Sequence, residues 1–186
     1  MKIGLCITGS FCTFANILKA VDQLVAAGYD ITPVFSYNVS SLDTRFFKQA
    51  DFENAIIEKT GKRPLKTIVE AEPIAKSDLE LMLVAPCTGN TLAKIAHGIT
   101  DTPVTMAVKA TLRNNRPVVL SVSSNDALGA NARNIGTLLN TRHVYFVPFG
   151  QDAPKSKVNS LIADTSLIIP TIENAMKGIQ IQPIFT

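Results

Sequence analysis

The sequence predicts an α/β protein, with a doubly wound, Rossmann-like parallel sheet and helices on both of its faces. Short apolar segments, typical of buried parallel strands, alternate along the chain with amphipathic helical segments. Several strands run directly into turns of glycine and small hydroxyl residues, the kind of junction at which open α/β sheets bind ligands. The chain has 186 residues, a length that suits one domain, so we expect residues 1–186 to share one core.

The predicted elements alternate between strand and helix from one end of the chain to the other. They are strand 2–8, helix 12–27, strand 30–36, helix 44–60, strand 79–85, helix 90–97, helix 103–114, strand 117–123, helix 126–140, strand 143–148, a helix within 165–177 and an extended segment near 180–185. The helical period of 3.6 residues is clearest in the first helix, at Ile17, Leu18, Val21, Leu24 and Val25. Parallel strands need crossovers of this kind, so the alternation itself favours a parallel sheet.

Capping residues set the predicted ends of the helices. Ser10 or Thr13 is expected to cap the first helix, and Gly28 is expected to end it. Thr88 or Asn90 is expected to cap the helix that follows the third strand. The free N–H groups at such a helix start, together with the helix dipole, favour a phosphate or an electron-rich ring.

Two stretches are less regular than the rest. Residues 61–76 contain Pro64 and Pro73 and predict either a strand with a loop or a lid. Residues 150–157 combine glycine, proline and charged residues, and we expect them to form the most mobile loop.

Composition argues against several classes of function. Eighteen basic and fifteen acidic residues leave a net charge of +3, without the dense basic run that nucleic-acid binding favours. No apolar run approaches the ~20 residues that span a bilayer, so we expect no membrane segment. The polar turn Thr8-Gly9-Ser10 interrupts the apolar N-terminal stretch, which therefore predicts a strand and a turn rather than a signal peptide.

The three cysteines indicate a reduced protein without a metal site. Cys6, Cys12 and Cys87 are an odd number, at spacings that fit neither a zinc site nor a disulfide framework, and a reducing cytoplasm suits them. Cys87 follows a predicted strand, where a nucleophile would need a lowered pKa. Only a helix start is available to lower it, so we interpret Cys87 as a packing or pocket-lining residue.

Polar residues at the carboxyl ends of the strands predict a ligand site. These ends meet at one edge of a parallel sheet, where their small donors and acceptors suit a neutral ring with one phosphate. The candidate cofactor-binding residues are Thr8, Gly9, Ser10, Ser36, Ser41, Pro86, Cys87, Thr88, Asn90, Thr91, Ser121, Ser124 and Asn125. Each of them alone also fits an ordinary turn or cap, and their coincidence at one edge favours a site. A single glycine follows the first strand, too few for a dinucleotide fingerprint.

The same junctions resemble those of the flavin-containing cysteine decarboxylases and the related flavin prenyltransferases, along most of the chain. Residues 86–101 resemble the family block P-A-S-A-N-T-x-x-K-x-A-x-G-x-x-D. The positions that agree are Pro86, Asn90, Thr91, Lys94, Ala96, Gly98 and Asp101. Thr8-Gly9-Ser10 resembles the family's T-G-S turn, and Ser36 resembles its phosphate-binding serine after the second strand. The resemblance implies a flavoprotein domain over residues 1–186 that binds FMN.

Three longer segments resemble one group within that family, the B subunits of dipicolinate synthases. They are residues 109–117, 124–129 and 145–152. This resemblance implies a cytoplasmic protein of the mother cell of a sporulating bacterium, belonging to an enzyme that oxidises dihydrodipicolinate to dipicolinic acid. Its implied partners are the A subunit of dipicolinate synthase, which would carry NADP, a small dicarboxylate substrate, and further copies of the chain with FMN close to the boundary between them.

Departures from the wider family argue against its other activities. The decarboxylases place a catalytic histidine after the second strand, yet residues 37–85 contain none. The family's P-A-M-N segment falls on residues 122–125 and keeps only Asn125, and the prenyltransferases' Arg-Glu pair falls on Ser123-Ser124. His97 and His143, the two histidines of the chain, are interpreted as structural residues.

The residues themselves leave the catalytic role open. Oxidation of a cyclic dihydrodicarboxylate needs a hydride acceptor, and guanidinium groups suit its carboxylates. The candidate clamps are Arg113, Arg116, Arg133 and Arg142. The alternatives are a scaffold or binding subunit whose partner performs the nicotinamide chemistry, and an FMN-dependent decarboxylase or prenyltransferase. No catalytic residue is assigned.

Overall fold

Seven strands form the sheet at the centre of the computed structural model, which describes residues 1–186. The strands are β1 (Lys2–Ile7), β2 (Asp30–Phe35), β3 (Leu81–Cys87), β4 (Val118–Ser124), β5 (Val144–Phe146), β6 (Phe149–Gln151) and β7 (Leu161–Ala163). The first five are parallel and lie in the order β2-β1-β3-β4-β5. Because β1 lies between β2 and β3, the turns that follow these three strands emerge side by side at one edge of the sheet.

The last two strands add a small antiparallel part to the predicted parallel sheet. β7 pairs with β4 at Ser123 and Ser124, and β6 pairs with β7. β5 pairs with the first half of β4, at Val118–Leu120, so β4 has different neighbours along its length. The predicted fold class is correct, and the β6–β7 hairpin extends the sheet beside the end of β4.

Helices connect the strands and cover the sheet. They are α1 (Phe14–Ala26), α2 (Tyr37–Ser41), α3 (Gln49–Thr60), α4 (Ile68–Ala71), α5 (Gly89–Ala96), α6 (Pro103–Arg113), α7 (Ala132–Leu139) and α8 (Ile168–Ala175). Short 3₁₀ helices lie at Phe11–Thr13, Glu72–Lys76 and Thr165–Leu167. None of these helices is both long enough and apolar enough to cross a membrane.

One hydrophobic core of 45 buried residues lies between the sheet and the helices. β3 is buried at every position, which explains why its sequence is apolar throughout. On the β1–β2 side, the ring centroids of Phe14 and Phe52 are 4.0 Å apart, and Phe52 also stacks against Phe35. This packing attaches α1 and α3 to the sheet next to the turns that follow β1 and β2.

The predicted helix 44–60 is wrong at its first turn. The chain forms α2 and then a connection of residues 42–48 before α3 begins at Gln49. The Thr44 hydroxyl oxygen accepts hydrogen bonds from the N–H groups of Phe46 and Phe47, each at 3.2 Å. These side-chain bonds take the place of helical ones, as expected for threonine near a turn.

The predicted helix 126–140 also begins late, at Ala132. The carboxylate of Asp126 accepts hydrogen bonds from the amide of Asn131 at 3.0 and 2.9 Å, and from the Ser124 hydroxyl at 2.5 Å. Bonds of this kind compete with helix formation, so residues 125–131 form turns.

The predicted caps are partly correct. Thr88 caps α5, and its hydroxyl oxygen accepts a hydrogen bond from the Thr91 N–H at 3.4 Å. Gly28 follows α1 with φ +81°, as a left-handed residue at the helix end should. Neither Ser10 nor Thr13 makes a side-chain cap at its helix, because each hydroxyl bonds elsewhere.

The irregular stretches also have defined structure. Leu65 makes an isolated parallel bridge with Val34, and α4 and a 3₁₀ helix follow it, so residues 61–76 form a bridge and short helices instead of a full strand. Thr67 and Glu70 form the capping box of α4. The C-terminal segment, predicted to be extended near 180–185, makes a single bridge, between Phe149 and Phe185.

Candidate functional site

The turns that follow β1 and β3 are joined by one side chain. The Thr8 hydroxyl donates to the Pro86 carbonyl oxygen at 2.6 Å and accepts from the Thr88 N–H at 3.0 Å. Thr8 is almost fully buried, so both bonds are shielded from water. The start of α5 therefore has a fixed position relative to the turn Thr8-Gly9-Ser10.

A cavity of about 380 Å³ opens at this junction. Of the predicted site residues, it is lined by Thr8, Gly9, Ser36, Thr88, Asn90 and Thr91. Tyr37, Asn38, Lys94 and Thr102 complete its wall. Hydroxyl and amide groups dominate this lining, and it lies at the N-terminal end of α5, where N–H groups lack helical acceptors.

The electrostatics of this smaller cavity suit an anion. Lys94 lies in its wall and bonds both carboxylate oxygens of Asp101 at 2.8 Å. The hydrogen bond from Lys94 holds the pKa of Asp101 below its usual range. Ser36 caps α2 by accepting from the Val39 N–H at 3.4 Å, which leaves its hydroxyl proton available to a ligand. Hydroxyls and a helix start are groups that bind phosphate, and Lys94 would join them by sharing its charge between Asp101 and the ligand.

A second cavity, of about 480 Å³, lies next to the first. On one side, Ser10 and Ser123 are joined by a hydrogen bond of 2.7 Å between their hydroxyl oxygens. Ser124 and Asn125, both predicted as site residues, also line it. The rest of its lining includes both polar and apolar side chains, among them Phe11, Arg45, Phe46, Asp152, Lys157, Leu161 and Ile162.

The two cavities share Gly9 and Thr88 in their walls. The sequence predicts one pocket that contains Ser10, Ser36 and Thr88. The structure instead divides these residues between two adjacent cavities at the same edge of the sheet. We refer to these two adjacent cavities together as the cleft. The smaller one is lined mainly by polar groups, and the larger one by polar and apolar side chains.

Four candidate residues lie outside both cavities. Ser41 is exposed at the end of α2, where its hydroxyl donates to the Tyr37 carbonyl oxygen at 2.7 Å. Pro86 and Ser121 lie beneath the turns, in the buried part of the sheet. Cys87 is fully buried.

Burial also decides the chemistry of Cys87. It raises the pKa of the Cys87 thiol to about 12, so the thiol stays protonated and is a poor nucleophile. The interpretation of Cys87 as a packing residue therefore agrees with the structure, whereas its inclusion among the pocket-lining residues does not.

The arginines proposed as carboxylate clamps also lie elsewhere. Arg113 lines a groove between α5 and α6, and Arg116 donates to the Ser77 carbonyl oxygen at 2.8 Å. Arg133 and Arg142 line neither cavity of the cleft. Arg45 lines the larger cavity although it was not a predicted site residue, because the predicted helix 44–60 gave no reason to place it at the strand ends.

The end of β4 is held by a network of polar side chains. Asn131 donates to Asp126, and Asn134 donates to the Asn131 side-chain oxygen at 2.8 Å. A Cβ on Gly89 would lie 2.6 Å from Asn131 Nδ2 and from Ser124 Oγ. The network therefore occupies the space beside the first turn of α5, and only glycine fits there. It also fixes Ser124, which lines the larger cavity.

Comparison with known proteins identifies the family. A family model described as Flavoprotein matches residues 1–172. This chain belongs to the flavoprotein family. The B subunit of dipicolinate synthase from Bacillus subtilis (strain 168) is 46% identical to it over 184 residues, which are 98% of this chain and 92% of that protein. The chain is a homologue of that protein, in agreement with the resemblance of its three longer segments.

Solved structures agree with the assignment to the flavoprotein family. The crystal structure of the dipicolinate synthase B subunit from Bacillus halodurans C has a TM-score of 0.91 and 42% identity, with 100% of this chain and 95% of that chain covered. The FMN-dependent cysteine decarboxylase SpaF has a TM-score of 0.69 at 19% identity, over 96% of this chain and 97% of that chain. The second likeness concerns the fold alone.

The cleft of this flavoprotein fits FMN by its chemistry. The smaller cavity offers hydroxyls, Lys94 and the start of α5, all suited to a phosphate. The larger cavity has room for a ring system and combines apolar walls with Ser10, Ser123 and Asn125 as polar partners. No group of three or more histidine, cysteine, aspartate or glutamate side chains is placed to hold a metal ion.

Proposed function

We propose that this chain is the flavin-binding subunit of a dipicolinate synthase. FMN would lie along the cleft, with its phosphate in the smaller cavity and its ring system in the larger. The observation that carries this proposal is that the two cavities adjoin at Gly9 and Thr88, which line both of them. The proposed FMN contacts are Thr8, Gly9, Ser10, Ser36, Thr88, Asn90, Thr91, Ser124 and Asn125.

The proposed reaction is the oxidation of dihydrodipicolinate to dipicolinic acid. The dihydro ring loses one hydride and one proton and becomes an aromatic pyridine, while both carboxylates are retained. When bound, oxidised FMN supplies a hydride acceptor. The chain's own residues would bind the dicarboxylate, orient its ring in the larger cavity and exclude water from it.

The proposed partners follow from the same interpretation. The relative in Bacillus subtilis is named as the B subunit of its synthase, and we propose an A subunit that carries NADP as the partner of this chain. We also propose that the chain associates with copies of itself, with FMN close to the boundary between them. The enzyme would act in the cytoplasm of the mother cell during sporulation.

A second candidate function is a binding subunit whose partner performs the nicotinamide chemistry. One observation favours it. The carboxylate in the wall of the larger cavity, Asp152, has its pKa lowered by hydrogen bonding to Ser160 and by its ion pair with Lys157 at 3.0 Å. It is therefore a weak base for the proton that the substrate must lose. A decarboxylase is less favoured, because no histidine lines either cavity. A prenyltransferase is less favoured, because Ser123 and Ser124 occupy the positions of its Arg-Glu pair.

A spectroscopic experiment separates these functions. The purified chain is loaded with FMN and mixed anaerobically with freshly generated dihydrodipicolinate, once alone and once with the A subunit and NADP. Bleaching of the flavin spectrum by the substrate in the absence of NADP supports flavin-dependent oxidation. An unchanged flavin spectrum, with NADPH formed only when the A subunit is present, supports the second candidate function.

A further inference from the structure

Arg45 is held at the mouth of the larger cavity by the connection between α2 and α3. This connection is braced by the Thr44 hydroxyl and by Asp43, which accepts from the Gln49 N–H at 2.9 Å. The guanidinium carbon of Arg45 lies 4.8 Å from the centre of the Phe46 ring, and both side chains line the cavity. Arg45 forms no salt bridge, so its charge is free to bind an anionic ligand.

Lys157 reaches the same cavity from the β6–β7 hairpin. Its Nζ lies 3.0 Å from Asp152 Oδ2, and its backbone N–H donates to the Ala153 carbonyl oxygen at 2.7 Å. The ion pair is partly exposed, with half of the Lys157 side chain accessible to solvent. Such pairs are weak, so a ligand carboxylate can replace Asp152 as the partner of Lys157.

The two cations reach the larger cavity from opposite ends of the strand order. Arg45 follows β2 at one end of the strand order, and Lys157 lies between β6 and β7 at the other end. The cavity itself lies between them, over the ends of β1, β3 and β4. Two cations face one carboxylate in its wall, so the cavity carries an excess of positive charge.

We propose that Arg45 and Lys157 bind the two carboxylates of a planar dicarboxylate substrate. This proposal rests on the proposed function, because it assigns the substrate of the same cleft. Arg45 would hold one carboxylate in a bidentate manner, and Lys157 would hold the other. The aromatic rings of Phe11 and Phe46 offer flat apolar contacts for the substrate ring that joins the two groups. A monocarboxylate would engage a single cation and bind more weakly.

The test measures binding of pyridine-2,6-dicarboxylate to the FMN-loaded full chain by calorimetry, in metal-free buffer because the diacid chelates divalent cations. Pyridine-2-carboxylate is the monoanionic comparison. The variants are Arg45→Gln and Lys157→Gln. The control is Arg113→Gln, which removes an exposed arginine that lies outside the cleft.

We expect Arg45→Gln to weaken diacid binding by about tenfold to a hundredfold, since it removes a charged hydrogen-bonding partner. Lys157→Gln should weaken it by about two- to fivefold, because half of that side chain is exposed and its present ion pair is weak. Arg113→Gln should leave diacid binding unchanged. Wild-type protein should prefer the diacid to the monoacid, and Arg45→Gln should remove most of that preference. Melting temperatures of the variants exclude loss of folding.

The outcomes distinguish this proposal from the proposed function. Equal diacid affinity in wild type, Arg45→Gln and Lys157→Gln would overturn the substrate assignment, even where FMN still binds. Absence of diacid binding to the wild-type chain would overturn it as well. If FMN does not bind but the diacid binds in an Arg45-dependent manner to the flavin-free chain, the flavin proposal fails and this assignment stands.

Discussion

The Thr88 N–H donates a hydrogen bond to the Thr8 hydroxyl oxygen at 3.0 Å, across 80 residues of sequence. The same hydroxyl donates to the Pro86 carbonyl oxygen. One buried side chain thus connects the two turns that form the cleft. Thr8 is better described as a residue that positions the site than as one that only lines it.

Replacing Thr8 with valine tests this role. The substitution keeps the shape of the side chain and leaves the Thr88 N–H and the Pro86 carbonyl without their partner. Each unsatisfied buried group costs about 1–3 kcal/mol, so the free energy of unfolding should fall by at least that amount. Urea denaturation measures the change. Thr8→Ser keeps the hydroxyl and serves as the control, and equal stability of wild type and Thr8→Val would contradict the account.

Ser36→Ala should weaken FMN binding. A hydrogen bond to a charged group contributes about 1.5–3 kcal/mol, so the expected loss is roughly tenfold to a hundredfold in affinity. Because Ser36 also caps α2, stability should fall by about 1 kcal/mol. Calorimetric titration with FMN measures the affinity.

Thr67→Ala is a matched control for the Ser36 substitution. Thr67 caps α4 outside the cleft, so its loss should lower stability while FMN affinity stays the same. Equal FMN affinity of wild type and Ser36→Ala would mean that Ser36 acts only as a helix cap.

Gly89→Ala should destabilise the protein. The new Cβ would lie 2.6 Å from Ser124 Oγ and 2.7 Å from Asp126 Oδ1, so the polar network must move. Overpacking of this kind costs about 1–3 kcal/mol. Gly136→Ala in α7 has no atom within 4 Å of the new Cβ and should instead stabilise the helix by about 0.5–1 kcal/mol. Thermal unfolding measures the stability of both variants relative to wild type. A Gly89→Ala variant as stable as wild type would show that the network is loosely packed.

The thiols should differ in reactivity. Burial raises the pKa of Cys87 to about 12, so it should remain unmodified by iodoacetamide near neutral pH. Cys12 is exposed and should react. Peptide mass spectrometry of the folded protein identifies the modified residue, and rapid labelling of Cys87 would contradict its burial.

The raised pKa of Cys87 also predicts a dependence of stability on pH. An unfolded chain loses this thiol proton near its ordinary pKa of 9.0, whereas the native state keeps it until about pH 12. Between these values the native state binds more protons, so stability should fall as pH rises, by up to about 1.4 kcal/mol per pH unit for this thiol. In alkaline denaturation, Cys87→Ala should reduce the slope of the free energy of unfolding against pH. An unchanged slope would show that the Cys87 thiol is not the origin of this dependence.

The sequence predicts the strands well because burial imposes an apolar pattern on them. β3 is the clearest case, since every one of its residues is buried. The strand ends also locate the cleft, because the carboxyl ends of parallel strands share one edge of the sheet. Thr8, Ser36 and Thr88 are predicted on that basis.

The remaining part of the site depends on interactions that pattern analysis does not detect. Thr44 and Asp126 bond nearby backbone or side-chain groups and delay the helices that follow them. β6 and β7 are three residues long each, too short for a recognisable alternation. As a result, the positions of Arg45 and Lys157 in the larger cavity emerge only in the folded chain.

Titration of the purified wild-type chain with FMN tests the central claim most directly. We predict saturable binding of one FMN per chain, accompanied by a perturbed visible spectrum and by protection of the Gly9 amide in hydrogen exchange. Gly9 lines both cavities, whereas the Thr88 N–H is already bonded to the buried Thr8 hydroxyl without ligand. A chain that is well folded and yet binds no FMN at concentrations far above the micromolar range would contradict the account.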